Sequence, residues 1–323
     1  MQLIDGEGRT INYLRLSVTD RCNHRCVYCM PESGVELLPH EKLLRLEELA
    51  ELTGRFVSLL GISKVRLTGG EPLVRRNVVR LVEMLAGIPG LDDLAMSTNG
   101  SLLAEKARAL FDAGLRRVNV SVDSLDPERF RRVSWGGELA RVLEGLDAAR
   151  DVGYSPIKVN TVLLPDFHEE AQLVEWGNRE GYLVRFIELM PNFYGFRMRI
   201  KGEGVKEAGI LDRLAHRFTV VKEPIRSEDE RGNHVHRYRI PDRNWVFEVI
   251  PGVSAPFCAK CNRLRLDSQG ALRYCLYSRR TLQLRGLLQA SDDEFTGAIK
   301  GFVMEKKGRT LDCIGSNMSA IGG

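Results

Sequence analysis

The stretch Cys22-Asn23-His24-Arg25-Cys26-Val27-Tyr28-Cys29 places three thiols within eight residues, directly after an apolar run that predicts a first strand over residues 11–18. A short loop with this spacing can direct three sulfurs at one metal centre, and thiolates favour iron–sulfur clusters or zinc. A cubane cluster takes four thiolates, so a triad would leave one iron open for a substrate or cofactor. A zinc knuckle or a redox-sensing group of thiols is the alternative that this spacing leaves open.

A glycine-rich turn follows one strand–helix unit later. Residues 64–68 predict a short strand, and Gly69-Gly70-Glu71-Pro72 comes directly after it. Glycine lets a backbone approach a ligand closely, and proline is tolerated at the first position of a helix. The turn therefore predicts main-chain groups that face a ligand at the end of this strand, although an ordinary strand–helix connection uses the same residue types.

Composition excludes several classes of protein. The 323 residues are 43% hydrophobic and 28% charged, which predicts a globular core, and no apolar run approaches the ~18 residues that a membrane span needs. The first residues lack a basic start and an apolar core, so we expect no secretion signal. Seven cysteines in clusters favour metal binding in a reducing, cytoplasmic compartment over disulfides. A net charge of +4 without one long basic run does not predict nucleic-acid binding.

Strands and helices then alternate regularly. Alternation at this pace predicts parallel strands with helices outside, and six strands predict an α/β partial (β/α)6 barrel over residues 1–190. Polar side chains at the ends of these strands mark the rim where barrels build their sites. The predicted strands are 11–18, 64–68, 94–98, 117–123, 157–162 and 184–190, and the predicted helices are 39–60, 73–86, 102–113, 136–152 and 168–180.

The regular alternation of predicted strands and helices stops after residue 190, and residues 191–323 predict a C-terminal α+β extension. Residues 203–216 favour a helix, and residues 218–221, 235–240 and 245–250 favour strands. His234 and His236 alternate with Val235 on a predicted strand, so we expect both to face solvent.

A second group of thiols lies in this extension. Cys258 and Cys261 are separated by two residues, and Cys275 follows fourteen positions later. A zinc ribbon would need a fourth ligand, and Cys313 lies in the tail, where packing is its expected role. We therefore predict a second [4Fe-4S] cluster with one open iron, which either binds the substrate or relays an electron. Arg263 and Arg265 share one face of the neighbouring extended segment, which suits a nitrogen-bearing polyanion.

The first triad, with Tyr28 before its last cysteine, and the Gly-Gly-Glu-Pro turn together resemble the radical S-adenosylmethionine (SAM) superfamily. The resemblance implies an open six-unit barrel and a [4Fe-4S] cluster whose open iron holds the amino and carboxyl groups of SAM. It also implies cleavage of SAM by one electron, with release of a 5′-deoxyadenosyl radical.

Two cysteine triads, this turn and the terminal Gly322-Gly323 resemble one family within that superfamily, the GTP 3′,8-cyclases of molybdenum cofactor biosynthesis. The resemblance runs from Leu14 to Gly323. It implies a lyase that cyclises GTP to (8S)-3′,8-cyclo-7,8-dihydroguanosine 5′-triphosphate, an external one-electron reductant and a homodimer. It assigns no catalytic acid or base, and Ser97 stands where the family often has threonine. The implied sites are Cys22, Cys26 and Cys29 for the SAM cluster; Tyr28, Gly70, Ser121 and Met190 for SAM; Cys258, Cys261 and Cys275 for the second cluster, whose open iron takes the guanine; and Arg15, Arg66, Ser97, Lys158, Arg263 and Arg265 for GTP, with Lys64 and Arg185 as helpers.

The positive charges of the residues implied to bind GTP suit a triphosphate. GTP carries about four negative charges, and guanidinium groups match phosphate oxygens in pairs. Arg66 and Arg185 lie inside apolar strands, where an unpaired charge would be costly. Two other readings stay open: a radical SAM enzyme that acts on a peptide, and a cysteine-rich electron carrier or zinc-binding module.

Overall fold

A computed structural model describes residues 1–31, 33–190, 203–224 and 235–306 of the chain. Cys313, His234 and the terminal Gly322-Gly323 lie outside these ranges, so the predictions made for them are not examined by the structure. Within the same ranges, no helix is long and apolar enough to cross a membrane.

The centre of the fold is a row of six parallel strands that are neighbours in chain order. Helices connect consecutive strands, so the predicted α/β alternation with a parallel sheet is confirmed. The strands are β3 (Tyr13–Ser17), β4 (Lys64–Thr68), β5 (Asp93–Thr98), β6 (Arg117–Ser121), β7 (Ile157–Leu163) and β8 (Leu183–Glu188), and the helices are α1 (Leu46–Leu60), α2 (Val78–Ala86), α3 (Leu103–Asp112), α4 (Pro127–Ser134), α5 (Leu139–Val152) and α6 (Glu170–Glu180).

Helix α1 illustrates why these segments fold as they do. Leu49, Leu52, Phe56 and Leu60 recur at intervals of three or four residues and are fully buried, so one face of the helix packs on the sheet. Each such side chain contributes about 1.5–3 kcal/mol when it leaves water. The helix ends at Gly61, which adopts φ 72°, a conformation that glycine reaches without strain.

The C-terminal region extends this same sheet at both edges. At one edge β12 (Arg263–Leu266) pairs in parallel with β3, and at the other β11 (Trp245–Ile250) pairs in parallel with β8. The result is a 12-stranded sheet. The remaining elements are β9 (Val221–Lys222), β10 (His236–Ile240), β13 (Ala271–Arg273), β14 (Leu282–Gln283), α7 (Glu207–Ala215) and α8 (Asp292–Met304).

Several expectations need correction. Residues 1–12 have a sequence that predicts a polar lead-in, but they contain a hairpin of β1 (Leu3–Ile4) and β2 (Thr10–Ile11), whose Leu3 and Ile11 are fully buried. Helices α4 and α8 were not predicted: α4 carries few apolar residues, whereas α8 has Phe295, Ile299 and Val303 at helical spacing on its buried face. His236 is not solvent-facing, because its Nδ1 lies 2.6 Å from Glu207 Oε1 on α7.

Candidate functional site

The first cysteine triad and the glycine turn form one unit after β3 and β4. The Gly70 N–H donates to the Thr19 carbonyl at 2.8 Å, and the Glu71 N–H donates to the Arg21 carbonyl at 2.8 Å. A β-carbon on Gly70 would collide with the Arg21 carbonyl oxygen. The glycine is therefore required for packing against the cysteine loop, a reason that the sequence did not reveal.

Helix α4 fixes the other side of the loop. The Arg25 N–H donates to the Ser134 carbonyl at 3.0 Å, and the Val27 N–H donates to the Val133 carbonyl at 2.9 Å. Since both acceptors lie in the last turn of α4, this helix, which was not predicted, holds the residues on either side of the second cysteine, Cys26.

None of the six described cysteines forms a disulfide, and all six are of intermediate exposure. The His24 N–H points at Cys22 Sγ (3.4 Å), and the Tyr277 N–H points at Cys275 Sγ (3.4 Å). Among the described residues, no three His, Cys, Asp or Glu side chains close around a point that could hold a metal ion. Two thiolates on one tetrahedral zinc would be about 3.8 Å apart, whereas a four-iron cluster binds each thiolate at a different iron. Each triad supplies three thiols, a donor set that fits a cluster with one open iron, whereas a structural zinc ion takes four ligands.

The side chain of Tyr28 is fixed by the carboxylate of Asp123, which follows β6. Its hydroxyl donates to Asp123 Oδ2 at 2.6 Å, and the Val162 N–H donates to the other carboxylate oxygen at 2.9 Å. Burial raises the pKa of Asp123 to about 6, although these hydrogen bonds oppose the rise. The aromatic ring beside the last cysteine is thereby held in one orientation.

A cavity of about 550 Å³ opens beside the first triad, and side chains from β3 to β8 and from β12 line it. The predicted site residues that line it are Arg15, Tyr28, Lys64, Arg66, Ser97, Ser121, Lys158, Arg185, Met190, Arg263 and Arg265, together with Asn160, which was predicted to lie at the rim. The lining residues that were not predicted include Tyr13, Asp93, Arg117 and Asn119. Gly70 does not line this cavity. The register explains the convergence, because Arg15 lies opposite Arg66 on β4 and opposite Arg265 on β12.

Arg66 is the clearest sign of an anion site. It is 9% exposed, and its Nε and Nη1 are buried without a hydrogen-bond partner. Buried N–H groups are nearly always paired, so a guanidinium left this way in a cavity wall is set up for a ligand. Burial lowers the pKa of Arg15 to about 10 and that of Arg265 to about 9.

The phenol of Tyr13 lies within this group of cations. Burial by itself raises the pKa of Tyr13, but the charges of nearby arginines, Arg66 first among them, outweigh burial and lower the pKa to about 7. A shift of this size in a phenol shows how strongly positive the cavity is.

Glu248 on β11 partly balances this charge. Arg185 donates to its Oε2 through Nε (2.9 Å) and Nη2 (2.5 Å), and Lys158 Nζ lies 3.6 Å from the same oxygen. Burial, followed by the charge of Arg185, lowers the pKa of Lys158 to about 8, although Glu248 opposes the shift. Glu248 was not predicted as a site residue, because only the pairing of β11 with β8 brings it beside Arg185.

The second triad lines a smaller cavity of about 90 Å³ that shares walls with the first. Arg263, Arg265, Phe257 and Met190 line both cavities. The Arg263 guanidinium lies 5.1 Å from the centre of the Phe257 ring, an arrangement that stabilises its charge. The cavity of the second triad thus adjoins the cationic cavity that Tyr28 of the first cysteine loop lines.

The domain families agree with this arrangement. Residues 16–176 match the radical SAM superfamily, and residues 182–311 match the family described as Molybdenum Cofactor Synthesis C. The chain is 42% identical over 306 residues to a GTP 3′,8-cyclase from Peptoclostridium acidaminophilum, covering 94% of this chain and 90% of the relative. It is 44% identical over 304 residues to a GTP 3′,8-cyclase from Pelotomaculum thermopropionicum, covering 93% and 91%.

The chain belongs to the GTP 3′,8-cyclase family. As a member of that family with a radical SAM domain, it is a radical SAM enzyme.

Solved structures support the fold of this GTP 3′,8-cyclase family member. Streptococcus suis SuiB bound to S-adenosylmethionine aligns with a TM-score of 0.65 at 15% identity, covering 95% of this chain and 75% of the other. The protein anSMEcpe with bound AdoMet aligns with a TM-score of 0.58 at 15% identity, covering 88% and 82%. At this identity the likeness establishes a radical SAM fold alone.

Proposed function

We propose that the enzyme cyclises GTP to (8S)-3′,8-cyclo-7,8-dihydroguanosine 5′-triphosphate, the first step of molybdenum cofactor biosynthesis. The observation that carries this proposal is the cavity in which Arg66, with two buried nitrogens that lack a hydrogen-bond partner, and seven further cations converge. A triphosphate supplies about four negative charges to such a site. The homodimer stays a prediction, and an external one-electron reductant is part of the proposal.

The proposed architecture is a partial six-unit barrel over residues 1–190 with a C-terminal extension over residues 191–323. Support for the barrel comes from side chains of all six central strands that line one cavity. The extension would complete the wall, because β12 and β11 flank the six strands and β12 contributes Arg263 and Arg265. Barrels place their sites at the carboxyl ends of the strands, and the first cysteine triad follows β3 at that end.

The first triad would hold one [4Fe-4S] cluster through Cys22, Cys26 and Cys29. When bound, this cluster and SAM supply a 5′-deoxyadenosyl radical from one electron. The proposed SAM contacts are Tyr28, Gly70, Ser121 and Met190, and three of these line the main cavity. The hydrogen bond from Tyr28 to Asp123 holds the ring at the mouth of the site.

The nucleotide would lie along the cavity between the two triads. Arg15, Arg66 and Lys158 would pair with phosphate oxygens, and Ser97 would add a hydroxyl that Asn119 already orients at 3.4 Å. Arg263 and Arg265 would orient the guanine end, since they line both cavities. A second [4Fe-4S] cluster on Cys258, Cys261 and Cys275 would take the guanine. The position of the nucleotide must be fixed closely, because a misplacement of ~1 Å at the attacked hydrogen can lower the rate on the order of a hundredfold.

Anaerobic reconstitution followed by product analysis tests this proposal. We expect about eight irons per chain, since each cubane contains four. With SAM, a reductant and GTP, we expect 5′-deoxyadenosine and the cyclic product in matching amounts. Zinc in either triad, or reductive SAM cleavage with no GTP consumed, would contradict it.

Lys158 predicts a pH dependence of GTP binding. Its pKa of about 8 means that the ammonium is charged below that pH and neutral above it. We expect the affinity for GTP to fall as the pH rises through 8, by up to about tenfold per pH unit, because a phosphate prefers the charged form. Titration calorimetry between pH 7 and 9 measures it.

A Lys158→Arg variant is the matched control. Its charge persists across this range, so its affinity should stay nearly flat between pH 7 and 9. An equal slope in both proteins would show that another group titrates.

A further inference from the structure

Lys306 is a buried lysine that the proposed reaction does not use. It follows α8 and is 2% exposed, a rare state for a lysine. Its ammonium donates to the Cys261 carbonyl at 3.0 Å and to the Arg263 carbonyl at 2.9 Å, and it reaches Cys261 Sγ at 3.6 Å. An ammonium has three N–H donors, and here all three acceptors belong to the segment of the second triad.

The backbone around this ammonium is held from the opposite end of the chain. Arg9 on the N-terminal hairpin donates to the Cys258 carbonyl at 2.6 Å and to the Lys306 carbonyl at 3.1 Å. Asp5 accepts from Arg9 Nε at 2.7 Å and so orients the guanidinium. The hairpin therefore fixes Lys306 against the first two cysteines of the triad.

The two triads differ in the charges around them. Carboxylates of Glu71 and Asp123 act on thiols of the first triad. The described residues that line the cavity of the second triad include Lys306, Arg9 and two further arginines but no Asp or Glu. The second triad is therefore the electropositive one.

Charge and hydrogen bonds at the ligand sulfurs set the potential of an iron–sulfur cluster. Adding one electron makes a cluster more negative, so a fixed ammonium beside a ligand sulfur favours the reduced form. A buried ammonium acts more strongly than a surface charge because little water screens it.

We propose that Lys306 sets the reduction potential of the second cluster, through its hydrogen bonds to Cys261, so that this cluster accepts an electron from the external one-electron reductant more readily. The inference rests on the proposed second cluster. One electron moves from the reductant to the cluster, and no bond forms or breaks.

The experiment uses the full chain with Cys22, Cys26 and Cys29 replaced by alanine, so that only the second cluster gives a signal. Lys306→Met removes the charge and the N–H donors with little change in length, and Lys300→Met makes the same change on α8 beside Met1. At the potential that half-reduces the parent, we expect the reduced-to-oxidised ratio in Lys306→Met to fall about tenfold, equal to ~59 mV for one electron. The Lys300→Met ratio should stay within about twofold. Electron paramagnetic resonance during a potentiometric titration measures each ratio.

The outcomes separate this inference from the proposed function. A parent that binds no iron refutes the second cluster itself. If Lys306→Met binds iron and its reduced-to-oxidised ratio is unchanged, the role of Lys306 is refuted but the second cluster is not. If Lys306→Met loses its iron, Lys306→Arg decides: retained iron with a ratio near that of the parent supports a charge effect. Loss of iron in both variants, or a tenfold lower ratio in Lys306→Arg, would overturn it.

Discussion

Replacing Cys258 with serine is expected to abolish GTP cyclisation while reductive cleavage of SAM survives. The two triads are built on separate parts of the chain, and Cys258 lies in a 3₁₀ turn that contacts the N-terminal hairpin through Arg9. Loss of one thiolate removes a ligand from the second cluster only. Since even an outer-shell partner of a metal ligand is worth about 10–100-fold, we expect GTP turnover to fall by more than about 100-fold.

The measurement is parallel chromatography of 5′-deoxyadenosine and of the cyclic product from anaerobically reconstituted Cys258→Ser. Iron should fall to about four per chain if one cubane is lost. Cys26→Ser should show the converse, with neither product formed. Cys313→Ser, which changes the cysteine outside both triads, should retain iron and both activities. Unimpaired cyclisation by Cys258→Ser would remove the role of the second cluster as the holder of the guanine.

Local patterns predicted the central sheet well. Residues 64–68 and 245–250 predict strands whose limits match β4 and β11, because short apolar runs between turns leave little freedom. The same patterns brought Arg15, Arg66 and Lys158 to one cavity, since alternate residues of parallel strands share a face.

Long-range pairing accounts for what was missed. Glu248 contacts Arg185 because β11 pairs with β8, and Lys306 contacts Cys261 because the chain leaves α8 beside that cysteine. No local signal marks either residue, because their partners lie 63 and 45 positions away in the chain. Half of the residues of helix α4 are charged, so its role in holding the cysteine loop also depends on tertiary contacts.

Replacing Arg66 with methionine is expected to weaken GTP binding and to stabilise the ligand-free protein. Two of its nitrogens are buried without partners, and they would bond to phosphate. A hydrogen bond to a charged group contributes about 1.5–3 kcal/mol, so the loss in affinity should be between about 10- and 100-fold. Without GTP, two nitrogens of the same guanidinium stay buried without a hydrogen-bond partner, and an apolar side chain of similar length should raise the free energy of unfolding by about 1 kcal/mol or more.

Titration calorimetry with GTP and urea unfolding without it measure the two effects. Arg108→Met on α3 is the matched control, because Arg108 is 67% exposed and pairs only at the surface with Asp112. We expect this control to change neither quantity by more than about 0.5 kcal/mol.

The Arg66 prediction is decisive because the expected changes in GTP affinity and in the free energy of unfolding have opposite signs. A substitution that merely disturbs packing lowers the stability of the protein and its affinity for ligand together. A residue that is kept in an unfavourable state for the sake of a ligand lowers affinity and raises stability when it is replaced. Weaker binding with lower stability would therefore assign Arg66 to the fold, and the cationic cavity would lose its best-supported phosphate contact.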